Sequence, residues 1–196
     1  MNKKASRNSS RETVLDAAEQ LFAARGYTAV TLKHIADKLG IKQASLYYHF
    51  PQGKEDLYVE VMVRHLEHRR AVLESLISQA EPALEDCLLK VGIWLIQQLP
   101  LHPGRMFVSD LPELSPDKAA QLEAAVYCCI FAPIEGIFIQ HRHKLKTQFQ
   151  GNLGFIGGTF LCSLEALHTF KQYGSKTDQE LVSDLVDLLL AGSVAD

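Results

Sequence analysis

The chain is poor in the features that mark secreted proteins, membrane proteins and most enzymes. Its four cysteines, Cys87, Cys128, Cys129 and Cys162, include one adjacent pair but form no CxxC and no paired framework, so reduced thiols in a cytoplasm are expected. The longest uncharged apolar run, AAVYCCIFAPI (124–134), is too short to cross a bilayer. The opening MNKKASRNSSRE is basic without an apolar segment behind it and is not a secretory signal. A Gly-rich phosphate loop and a GxSxG elbow are both missing. Cys128 or Cys129 with His141 or His143 could be drawn as nucleophile and base, but mid-helix apolar thiols keep their protons. His65 and His68 share a helix side with no third ligand nearby in sequence, and His141 and His143 diverge at i, i+2. Neither an enzyme nor a resident metal or cofactor is expected.

What is present is helical. Period-two alternation is absent, and apolar residues recur at helical spacing along the chain. Ser9 with Glu12 reads as a capping box ahead of Val14, Ala18, Leu21 and Phe22, a helix that Gly26 should end. Thr31 can cap a second helix, closed by Gly40, and Pro51-Gln52-Gly53 should end a third. Long helices follow over 54–78, from Pro82 to before Pro100, and from Pro116 to about His143 with a kink at Pro133. Residues 100–116 are proline-punctuated, with one short helix near Met106. The last two helices cover about 152–172 and 177–191, the latter opened by Thr177-x-x-Glu180. An all-α chain of about nine helices results. Its division is at residue 54, into a 1–54 module and a 55–196 body joined by the 54–78 helix.

Charge follows that division. Residues 1–54 hold nine Lys/Arg against four Asp/Glu, and residues 55–196 hold eleven against nineteen. A basic module on an acidic body points the module at an anionic partner. Residues 32–49 also fit a helix-turn-helix: Ala36 is small where two helices cross, and Gly40 supplies a left-handed turn four residues later. Ile35, Leu39, Ile41 and Leu46 are the expected buried contacts. His49 occupies a usually apolar position, a role that Phe50 can take. A helix of this kind fits the major groove of B-DNA. There Gln43 can pair with adenine, Lys42 can reach guanine or phosphate, and the Ala44 methyl suits thymine. Ser45, Tyr47, Tyr48 and His49 can donate to phosphates, flanked by Thr31, Lys33 and Lys54 at neighbouring helix starts, where anions are favoured. The alternative is a packed αα-hairpin with solvated polar tips.

The stretch GYTAVTLKHIADKLGIKQASLYYHFPQGKEDL (26–57) resembles the N-terminal domain of TetR-family transcriptional regulators over about residues 10–60. That resemblance implies DNA contact at Thr31, Lys33, Gln43, Ala44, Ser45, Tyr47, Tyr48, His49 and Lys54. It also implies a homodimer on a pseudo-palindromic operator and a second domain that binds a small effector. Ala44, in place of the Gly or Pro often seen, and the longer PQG turn depart from the family pattern.

In the body, Trp94, His102, Phe107, Tyr127, Phe131, Glu135, Phe160 and Glu165 are candidate effector contacts, with core packing or a solvated rim as the alternative. Gly154, Gly158, Cys162 and Ala166 are small residues four apart beside an apolar face, and Leu181, Leu185 and Leu188 stripe the last helix. Two faces on one helix need two partners, which a twin subunit or a large monomer core would supply. The reading reached is a cytoplasmic, effector-released repressor. The alternative is a metal-sensing or effector-binding helical protein whose N-terminal module contacts protein.

Overall fold

The computed structural model describes residues 3–80 and 83–194. Nine helical stretches carry the chain among these residues, with a lone bridge between Leu145 and Val194 as the one β contact. They are α1 (Lys3–Ala29), α2 (Leu32–Leu39), α3 (Gln43–His49), α4 (Lys54–Ser78), α5 (Leu84–Ile96) and α6 (Pro103–Arg105). After them come α7 (Pro116–Gln140), α8 (Leu153–Phe170) and α9 (Asp178–Ser193). The all-α expectation holds. Two compact units form: 1–65 with 102–125, and 66–101 with 126–196. The first unit contains residues 1–54 together with the start of α4, and the irregular 102–115 stretch with the first part of α7 belongs to it as well.

Several boundaries follow from single residues. The Thr31 hydroxyl accepts from the His34 amide while His34 Nδ1 accepts from the Thr31 amide, which starts α2. Gly40 ends it at φ 65°, ψ 29°. Gly26, at φ 77° and ψ 177°, breaks α1 one turn before its end, so the expected stop is a kink with a further turn behind it. The expected start at Ser9 is overturned: α1 begins at Lys3, and the Ser9 side chain lies outside the described residues. Pro82 also lies outside them, and α5 is capped at Ala83. The Pro133 kink takes the form of a π-turn over Tyr127–Phe131. There the Ala132 amide reaches back five residues to Tyr127, so the ladder is rearranged just ahead of the residue that has no N–H.

The N-terminal unit packs Leu15, Ala18 and Phe22 of α1, Ile35 and Ala36 of α2, and Leu57 and Tyr58 of α4 into one core. In the C-terminal unit α5 packs on α8 and α9 around Leu88, Val91, Phe160, Val182 and Val186. Gly92 permits that approach, because a Cβ there would lie 2.7 Å from Val182 Cγ1. By length and composition two helices, Pro116–Gln140 and Leu153–Tyr173, are apolar enough to cross a membrane, which the uninterrupted runs did not suggest. Their buried residues, among them Ile134, Ile137, Phe138 and Ile156, are covered by helices of the same unit.

Candidate nucleic-acid interface

The helix α3 is seven residues fastened by one. Leu46 is fully buried, while Gln43, Ala44, Ser45, Tyr47 and Tyr48 are exposed and His49 is half-buried. Phe50, 3% exposed, takes the apolar place that His49 leaves open, and the Arg11 guanidinium lies 4.8 Å from its ring centroid. Lys42 at the N-cap is exposed, as is Lys33 on α2. A helix held by so little core presents its remaining side chains outward, and the Tyr48 ring stands edge-on to His49 at 5.2 Å.

Three expectations change. Ile41, expected in the core, is 38% exposed, and Leu39 is only half-buried, because the turn after Gly40 swings outward before Leu46 re-enters. The Thr31 hydroxyl is occupied by its own capping box, although it stays exposed. Lys54, placed with the phosphate contacts, turns inward: Nζ donates to the Tyr27 carbonyl at 2.9 Å and lies 3.8 Å from that ring's centroid. Burial lowers the Lys54 ammonium from its ordinary value, and the charges of Asp110 and Glu113 oppose that shift.

The supporting layer contains residues that sequence reasoning missed. Asp110, 2% exposed, accepts from the Tyr27 amide at 3.0 Å and from the Tyr58 hydroxyl at 3.4 Å. The same burial, with the Asp110 charge, pushes the Tyr58 phenol well above its usual range. Arg105 donates to the Ala23 carbonyl at 3.1 Å and to Phe22 at 3.4 Å, satisfying the carbonyls that the Gly26 break exposes. The end of α6 and the segment after it thus grip the end of α1 and, through Tyr27, the start of α4. Arg64 of α4 meets Glu12, Asp16 and Glu19 at 2.8–2.9 Å, and His65 meets Glu19 at 2.8 Å. The His65 hydrogen bond is the main reason that the Glu19 carboxyl falls to about 2, with burial opposing and Arg64 assisting. His65 is thereby engaged with an acid, and the described residues contain no cluster of three metal-ligating groups.

The candidate effector contacts do not form one group. His102 and Phe107 fall in the N-terminal unit and are exposed, while the other six lie in the C-terminal unit. Phe160 is fully buried core, Trp94 and Phe131 are half-buried, and Tyr127 donates to Glu135 at 3.1 Å. Glu165 accepts from the Leu101 amide at 3.1 Å. The small-residue stripe is partly used within the subunit: a Cβ at Gly154 would lie 3.3 Å from Glu135 Oε1, and one at Gly158 3.8 Å from Phe131. Cys162 is exposed and Ala166 half-buried, as are Leu181 and Leu185, while Leu188 is 74% exposed. Cys128, expected inside an apolar run, is exposed, whereas Cys129 is buried and its thiol raised by that burial.

Comparison with known proteins agrees with this geometry. Residues 14–61 match the family described as bacterial regulatory proteins, tetR family. The HTH-type transcriptional regulator LmrA of Bacillus subtilis is 39% identical over 75 residues, covering 38% of this chain and 40% of that protein. The HTH-type transcriptional repressor KstR2 of Rhodococcus jostii is 34% identical over 98 residues, covering 43% and 48%. The chain thus spans less than half the length of these curated relatives. A TetR-family transcriptional regulator from Bordetella parapertussis superposes with a TM-score of 0.71 over 92% of this chain and 93% of that one, at 19% identity, which shows a shared fold. Residues 14–61 thus carry the helix-turn-helix segment of the tetR family of bacterial regulatory proteins, and the chain as a whole shares its helical fold with the Bordetella protein.

Proposed function

We propose that the protein is a sequence-specific DNA-binding transcriptional repressor that a small molecule releases from its operator. The observation that carries this reading is α3, whose surface is almost wholly open around the single anchor Leu46. Gln43, Lys42 and Ala44 read base edges, while Ser45, Tyr47, Tyr48, His49, Thr31 and Lys33 donate to the backbone on either side. Lys54 acts from behind by fixing Tyr27, and so sets where α4 begins. Relatives that share this segment carry names of transcriptional regulators, with repressors and an activator among them, which supports control of transcription.

The protein works as a cytoplasmic homodimer. Phe155 and Phe170 of α8, Tyr173 just after it and Leu188 of α9, all more than half exposed, are apolar side chains that a twin subunit would cover. Two α3 helices related by a twofold axis then meet successive major grooves roughly 34–36 Å apart. An effector bound in the C-terminal unit favours a different separation, a coupling of about 1–3 kcal/mol or roughly 5–150-fold in DNA affinity. Selection of bound fragments from random-sequence DNA tests the reading. An inverted repeat with half-sites one helical turn apart is expected; recovery of sequences without any shared motif would refute it.

A further inference from the structure

The C-terminal unit contains a cleft of about 900 Å³ that none of the candidate effector contacts lines. Its size falls within the roughly 300–1,000 Å³ of ordinary small-molecule sites. One wall is the second half of α4, from Arg70 to Ser78, and the other is α7 from Cys128 to Gln140. At about 1.5 Å of rise per residue these walls run for roughly 12 and 18 Å, so the cleft is long rather than round.

Its chemistry differs along its length. The middle is apolar: Ile77 of α4 and the small residues Ala132, Pro133 and Gly136 of α7 line it, and none of these three has a long side chain to fill the space. A Cβ built on Gly136 would meet nothing within 4 Å, so the open volume reaches the helix backbone itself. At the Cys128 end the one cation is already compensated, because Arg70 Nε donates to Glu74 at 2.7 Å. At the other end His143 and Lys144, exposed on the 3-10 turn after α7, line the cleft without a carboxylate among its residues there. The result is an apolar trough closed by a neutral ion pair at one end and by basic groups at the other.

We propose that this cleft binds an elongated small molecule with an apolar body and a terminal carboxylate. The carboxylate is seated at His143 and Lys144, and the body lies along Ala132, Pro133 and Gly136. An alcohol would forgo the charge-assisted contact, and an ammonium would meet Lys144 with like charge. As the identity of the effector this rests on the ligand-responsive reading above; as a binding site it does not depend on it.

Decanoate, decanol and decylamine, three head groups on one tail, are titrated calorimetrically into the full-length protein below their micellar concentrations. Saturable binding of decanoate, at least tenfold tighter than decanol or decylamine, is expected. Lys144→Gln should remove most of that preference while leaving the decanol affinity unchanged. Gly136→Leu, whose side chain enters open space, should abolish binding of all three without lowering the thermal unfolding temperature. Decanoate binding that survives Gly136→Leu, equal affinity for the acid and the alcohol, or no saturable binding would each overturn the proposal. Operator affinity with and without decanoate is measured separately. Loss of binding in Gly136→Leu with an operator affinity indifferent to decanoate would uphold the cleft and contradict the effector role.

Discussion

At the scale of single residues, Asp110 ties together parts of the N-terminal unit that are far apart in sequence. Its buried carboxylate accepts the Tyr27 amide and the Tyr58 hydroxyl. Asp110→Ala should therefore destabilise the protein by about 1–3 kcal/mol, because the buried Tyr58 hydroxyl and the part-buried Tyr27 amide lose their acceptor. Urea denaturation checks this, and a midpoint unchanged from wild type would contradict it. Asp110 could not have been found by reading the sequence: its partner lies 83 residues away, and an acid in a proline-rich stretch carries no periodic signal. Lys54 was legible as a helix start but not in its direction, since nothing local shows that Tyr27 returns to meet it. Gln43, Ala44, Tyr47 and Tyr48 were legible because a short helix with one apolar anchor must expose the rest.

At the scale of elements, caps and small residues decide boundaries and approach distances. Thr31, Gly40 and the Thr177–Glu180 box mark their helix ends in sequence and in structure alike, because each acts on residues within one turn. The start of α1 and the π-turn of α7 escaped because the first is not decided by a capping box and the second redistributes hydrogen bonds that a proline perturbs only indirectly. Gly92 tests the packing directly. Its missing side chain lets α5 meet Val182 and Phe160, so Gly92→Val should cost about 1–3 kcal/mol of overpacking despite the gain in helix propensity. A thermal midpoint at or above that of wild type would show that the two helices have room to separate. Gly40→Ala probes the turn. At φ 65° an added Cβ meets open space, so its cost of roughly 1 kcal/mol is conformational and should appear without any loss of packing.

At the scale of the whole molecule, charge contributes to how the folded state responds to pH. Glu19 sits at about 2, below its ordinary value of 4.5, chiefly because of its hydrogen bond to His65. A depressed carboxyl stabilises the fold above its unfolded value, so this contribution is present at neutral pH and is lost as pH falls from about 4.5 towards 2. Partial exposure screens the pair, and its loss should amount to no more than about 1 kcal/mol. Glu19→Gln should accordingly flatten the acid limb of the stability profile while leaving the neutral-to-basic limb parallel to wild type; an unchanged acid limb would remove Glu19 from the account. The basic-module-on-acidic-body pattern was visible from composition, whereas the membership of 102–125 in the first unit was not, since a proline-punctuated stretch far along the chain carries no periodic signal of what it packs on.

The most direct measurement compares wild type with Gln43→Ala on a selected operator and on a scrambled duplex of the same length, at one fixed salt concentration. If α3 reads base edges, the substitution costs about 1–3 kcal/mol on the operator and leaves the scrambled duplex unaffected, narrowing the specificity ratio. Equal losses on both duplexes, or none on either, would contradict base reading by α3 and leave the basic module as a sequence-indifferent phosphate-binding surface.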